Sequence, residues 1–268
     1  MSATRHASTL LALAFITAGA ASRALALEVP IEDPEIKACV TRSLPEKAMT
    51  QKLTLKLFNG GELINTTQAE LFWKKADNGR SRVMVRMTSP PARAGIAVLA
   101  IERESGDPDL AVYMPESRKA RKVAGRTIDA SMFGTDFSYE DFAYFQGVAA
   151  GSKITRLADE DLAGAANYVL EALPGTDGSK YSRIVSYINR EQCVLTKIDF
   201  FAKNGTLLKD LTLPREDVQQ IGERWVPKRA ILNDHKHDSR TEVVIDEIKI
   251  DPEISETLFS MTKFGAGR

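Results

Sequence analysis

The sequence predicts a mainly β fold of the α+β kind: a strongly curved antiparallel sheet of about 10–12 strands that curls around a few helices into a half-open barrel. Three observations lead there. Apolar side chains recur at every second position, as in Leu53, Leu55 and Leu57, in Val83, Val85 and Met87, and in Tyr168, Leu170 and Ala172, the period of half-buried strands. Residues that tolerate positive φ stand between such runs, in Asn59-Gly60-Gly61, Asp77-Asn78-Gly79, Asp177-Gly178 and Asn204-Gly205, so strands should pair with their sequence neighbours through tight turns. Helical signals are sparse, and neither a βαβ rhythm nor an internal repeat is present.

Taken in order, residues 1–26 read as a cleaved secretory signal peptide. Arg5 and His6 precede an apolar run over 9–21, and Ala24-Leu25-Ala26 supplies the small residues of a cleavage site before Leu27. The run is shorter than the roughly 20 residues of a membrane anchor. No cysteine follows the cleavage point, so lipid attachment is not expected there. Residues 27–268 are expected to form one domain, periplasmic and monomeric. A helix is expected over 34–44, before Pro45. Besides the three runs above, strands are expected over 94–102, 110–114, 119–123, 153–159, 181–188, 194–202, 206–213, 224–232 and 241–250. Ser138 can cap a second helix, with Glu140 and Asp141 in its first turn and Phe142 and Phe145 on one face. A third short turn is expected over 255–259.

The 36 Lys and Arg balance the 36 Asp and Glu, and removal of Arg5 and Arg23 leaves 34 against 36. Nucleic acid is therefore not an expected partner. Cys39 and Cys193 are the two cysteines. In an oxidising compartment a disulfide between them is favoured over two buried thiols.

No nucleophile elbow, HExxH, phosphate loop or dinucleotide fingerprint is present, so neither an enzyme nor a cofactor is expected. Asp234-His235-Lys236-His237-Asp238 has metal-ligand residue types, but it falls in a polar turn without a framework to fix them, so no metal site is expected.

Several segments together resemble the outer membrane lipoprotein-sorting protein family, the periplasmic LolA-like superfamily. They are Arg80-Ser81-Arg82 with Pro90-Pro91, Tyr113-Met114-Pro115, the basic run from Arg118 to Val123, Phe133-Gly134-Thr135-Asp136-Phe137-Ser138-Tyr139-Glu140-Asp141, and Trp225-Val226-Pro227. The resemblance implies a curved antiparallel sheet forming an open β barrel, lidded by a few helices around a hydrophobic cavity that shields acyl chains. Physical chemistry points the same way. Each methylene removed from water is worth about 0.8 kcal/mol, so a soluble lipid carrier needs a wide apolar pocket more than a reactive group.

Candidate cavity-lining residues are Trp73, Met84, Leu99, Ile101, Met114, Met132, Phe133, Phe137 and Phe142, each of which could equally fill the core. Arg118, Lys119, Arg121 and Lys122, with Arg126 beyond them, are candidates for contact with lipid head groups or a membrane surface, or else form a charged strand edge. Asp136, Glu140 and Asp141 are expected to pair with these bases. The function expected is that of a periplasmic carrier or chaperone for lipids or lipoprotein acyl chains, with an inner-membrane transporter and an outer-membrane acceptor as partners. The alternative is a non-shuttling binding module on the same scaffold, an envelope-stress sensor or an exporter accessory.

Overall fold

The computed structural model describes residues 33–103, 108–145, 152–175, 178–262 and 264–265. The expected leader, Asp177 of one turn, and the side chains of Arg126 and Phe145 lie outside the described residues.

The first half of the chain is a meander: β1 (Ala48–Asn59), β2 (Glu62–Lys75), β3 (Ser81–Ser89), β4 (Ala97–Glu102), β5 (Pro108–Met114) and β6 (Lys119–Val123). A short 3-10 helix (Gly125–Asp129) and helix α2 (Tyr139–Phe145) follow. The second half holds β7 (Lys153–Arg156), β8 (Glu160–Leu162), β9 (Ala165–Leu173), β10 (Tyr181–Asn189), β11 (Leu195–Ala202), β12 (Leu207–Thr212), β13 (Val218–Ile221), β14 (Arg224–Pro227), β15 (Arg229–Asp234) and β16 (Ser239–Ile250). Fourteen strands form one antiparallel sheet in the order β6-β5-β4-β3-β2-β1-β16-β15-β12-β11-β10-β9-β7, with β8 also on β9. The two meanders join where β1 pairs with β16. Among the described residues β6 and β7 do not pair with each other, so the curved sheet stays a half-open barrel.

Local chemistry explains most boundaries. Gly60 and Gly61 have φ of 52° and 86°, the two positive values that a two-residue hairpin between β1 and β2 requires. Pro227 cannot donate to a ladder, and there the expected 224–232 strand divides. Its first half, β14, pairs with β13 as a separate hairpin, and its second half, β15, rejoins the sheet beside β12 and β16. Helix α1 (Pro34–Ser43) starts with Asp33, whose Oδ1 accepts from the amides of Glu35 and Ile36 at 2.9 and 3.2 Å. It buries Ile36 and Cys39 against Tyr168, Leu170 and Ile188. A disulfide joins Cys39 to Cys193 across 154 residues.

Strand alternation gives the sheet two apolar faces at its β2–β5 end. Val83, Val85, Val98 and Ala100 face the main core, whereas Met84, Ala97 and Leu99 face outward. That outer face is covered by the chain after β16, through Ile254, Phe259 and Phe264. Asp251 anchors this clasp by accepting the amides of Lys47 and Ala48 at 2.7 and 2.9 Å. Glu256 bridges Lys74 and Arg82, each at 2.6 Å.

Candidate functional site

On the concave face Leu53 and Leu55 of β1 lie beside Ile245 and Val243 of β16, which continue to Ala230 of β15. Leu71, Val85 and Leu211 extend this surface across β2, β3 and β12. The 132–142 segment arches over it without filling the space, leaving an apolar chamber of about 380 Å³. Leu44, Pro45 and the β13–β14 hairpin, with Trp225, form the remaining wall.

Turn chemistry and a buried polar network hold the arch. Phe133 and Gly134 have φ of 59° and 71°, and a Cβ on Gly134 would meet Arg93 Nη1 at 3.2 Å. Arg93 uses that nitrogen to donate to the Phe133 carbonyl at 3.1 Å, so glycine is wanted both for its backbone and for the close approach. Ser138 and Asp141 cap α2 reciprocally: the Ser138 amide donates to Asp141 Oδ2 at 2.8 Å, and the Asp141 amide donates to Ser138 Oγ at 3.2 Å. Asp141 is fully buried and also accepts from Lys209 Nζ at 2.8 Å and from the Tyr181 hydroxyl. Lys209 Nζ donates as well to the Asp136 carbonyl, while the Asp136 carboxylate accepts from Ser239 and Thr241. Three strands, β10, β12 and β16, thus grip one loop. Asp136 and Asp141 do not pair with the basic run on β6, contrary to expectation, because their partners come from strands much later in the chain.

Titration at the arch follows burial. Burial first, then the Asp141 carboxylate, pushes the Tyr181 hydroxyl far up, so it stays a neutral donor. Tyr144, which shares a hydrogen bond of 2.8 Å with Ser186, is pushed up to about 12 by burial. Glu140 is pushed up to about 7, chiefly by burial, with Asp129 and Asp141 adding to the rise and a Ser179 hydrogen bond opposing it.

Of the residues marked in the sequence, Met132, Phe133, Phe137 and Phe142 are brought together as the roof of the chamber. Trp73 is buried in the main core without lining it. Met84, Leu99 and Ile101 lie on the opposite face of the sheet, under the C-terminal clasp, because their strand parity is the reverse of Val83 and Val98. Met114 ends β5, where its carbonyl accepts from Ser117 Oγ at 3.3 Å, and it too is away from the chamber. Lys119, Arg121 and Lys122 are exposed on the edge strand β6, just after the exposed turn residue Arg118. Lys122 approaches Asp109 at 3.6 Å.

Leu44, Leu213 and Ile245 line the chamber without any mark in the sequence, and Trp225 is marked there only as part of the family resemblance. His235 and His237 pair separately with Asp210 at 2.6 Å and Asp234 at 3.0 Å. Among the described residues no three His, Cys, Asp or Glu side chains are placed to share a metal ion. No helix there is long and apolar enough to cross a membrane.

A family model described as "Uncharacterized protein", of the "-like" kind, matches residues 79–265, more than half of the chain. No curated protein matches the sequence. Among solved structures, the chain is similar to an outer membrane lipoprotein-sorting protein domain from Vibrio parahaemolyticus, with 20% identity, a TM-score of 0.77, and 86% of this chain and 97% of that one covered. It is similar to a DUF1329 family protein from Desulfovibrio piger, at 19% identity and TM-score 0.75, covering 84% of this chain and 94% of that one. A LolA superfamily protein from Nitrosomonas europaea aligns at 17% identity and TM-score 0.65, covering 84% of this chain and 97% of that one.

Proposed function

The chain belongs to the family whose model spans residues 79–265 and has the LolA-like fold of the outer membrane lipoprotein-sorting proteins, and on that premise we propose that it is a periplasmic carrier that shields acyl chains of lipids or lipoproteins in its apolar chamber. One observation carries the proposal: the 380 Å³ space between the concave sheet and the roof of Met132, Phe133, Phe137 and Phe142 is walled almost wholly by apolar side chains. Such a space binds by removing methylenes from water, and no step needs a reactive group. The 132–142 arch serves as the lid, and an inner-membrane transporter and an outer-membrane acceptor are the proposed donor and recipient. The exposed bases Arg118, Lys119, Arg121 and Lys122 give the carrier a surface for anionic membranes.

Titration with a fluorescent long-chain fatty acid tests the chamber. Ala230 lines it and is half-buried, so Ala230→Trp should fill it from the strand side. Saturable binding in the parent that falls at least about tenfold in Ala230→Trp is the expected result. Equal binding by both would place the acyl chain elsewhere and refute the proposal.

A further inference from the structure

At one end the apolar chamber adjoins a second space of different character. Leu44, Pro45 and Arg224 line both. The other walls of the second cavity, about 420 Å³ in volume, are Thr41, Arg42, Glu46, Lys75 and Glu223. Three cations meet there against two exposed carboxylates.

Arg42 Nη2 donates to Cys193 Sγ at 2.7 Å, which holds that guanidinium at the cavity wall with its remaining nitrogens available to a ligand. Arg224 Nε donates to the Leu44 carbonyl at 3.0 Å, which fixes the guanidinium at the junction of the two cavities. The nearest carboxylate to that guanidinium is Glu46, at 3.9 Å and 77% exposed. Arg42 and Lys75 form no ion pair among the described residues. A bidentate guanidinium and a nearby ammonium are the donors that suit a phosphate or carboxylate oxygen.

We infer that the cavity formed by Arg42, Lys75 and Arg224 binds the anionic head group, a carboxylate or phosphate, of an amphiphile whose acyl chains fill the apolar chamber. This rests on the acyl-chain reading and adds a class of ligand to it. The bases marked in the sequence, Arg118 to Lys122, line neither cavity, so selection of the head group falls to these three residues.

Native mass spectrometry and calorimetric titration of the lipid-stripped protein test this with four ligands: palmitate, dipalmitoyl phosphatidylglycerol, zwitterionic dipalmitoyl phosphatidylcholine and neutral dipalmitoylglycerol. The expected result is that at least one anionic ligand binds about tenfold or more tightly than dipalmitoylglycerol, with phosphatidylcholine between them. Palmitate and phosphatidylglycerol distinguish a free carboxylate from a phosphodiester as the source of the charge. In Arg42→Gln/Lys75→Gln the preference should fall toward one, and Lys75→Arg should keep it. Lys75→Gln alone is the cleanest single variant and should lower the preference in the same direction, because Arg42→Gln also loses the Cys193 contact and Arg224→Gln the Leu44 contact. Dipalmitoylglycerol binding as tightly as both anionic ligands would overturn the inference and leave the acyl-chain reading standing. No binding of any of the four would overturn both.

Discussion

Lys209 of β12 reaches Asp141 at the start of α2, Nζ to Oδ2 at 2.8 Å, with the two side chains 4% and 0% exposed. This pair fastens the chamber's roof to its wall. Removing one partner strands a charge out of water, which costs about 3–5 kcal/mol, whereas replacing both by apolar residues of similar volume is often neutral. Asp141→Ala should therefore lower the urea unfolding free energy by about that amount, and Asp141→Leu/Lys209→Met should recover only part of it, because Tyr181, the Ser138 amide and the Asp136 carbonyl still lose their partners. A single variant as stable as the parent would show that the pair does not hold the arch.

The Cys39–Cys193 bridge closes a loop of 154 residues. Restricting the unfolded chain over so long a loop stabilises the fold by about 2–5 kcal/mol. Cys39→Ser/Cys193→Ser should lose that much in denaturant titrations, and reductant should destabilise the parent but not the variant.

Stability should fall from acid toward alkaline pH through Glu140. Its carboxyl faces Asp129, Asp141 and Ser179 and is pushed up to about 7 in the folded chain from 4.5. The folded form thus holds the proton more tightly than the unfolded one. The stabilisation is fully present below about pH 4.5 and is lost as pH rises through about 7. Glu140→Gln should match the parent at about pH 4 and exceed it by about 1–2 kcal/mol at about pH 8.5, a figure discounted for partial exposure. A difference between the two that does not change with pH would contradict this.

Edge strand β6 carries the bases proposed to meet a membrane. Each cation near an anionic surface contributes about 1 kcal/mol. Charge reversal to Glu at Arg118, Arg121 and Lys122 should weaken sedimentation with phosphatidylglycerol vesicles on the order of 100-fold. Unchanged binding would reduce the run to a charged edge that resists strand-to-strand association.

Much of this architecture is readable from local chemistry. The turn at Gly60-Gly61, the Ser138 cap, the strand at Lys119–Val123 and the cysteine pair all depend on neighbouring residues or on counting. What escapes a sequence reading depends on facts distant in the chain. Leu99 and Val98 are equally apolar, and only the clasp at Phe259 and Phe264 decides that Leu99 points away from the chamber. Nothing near Lys209 in the chain announces its burial, because its partner Asp141 lies 68 positions earlier. Arg42, Lys75 and Arg224 belong to three separate elements, and only folding brings them to one cavity.

The most direct test of an acyl-chain carrier is native mass spectrometry, with lipid extraction, of the protein purified from its native cells. The expected result is a bound acyl-bearing ligand at one per chain that is lost in Ala230→Trp. A parent protein that is consistently free of extractable lipid, and that takes up none when offered it, would contradict the proposed function.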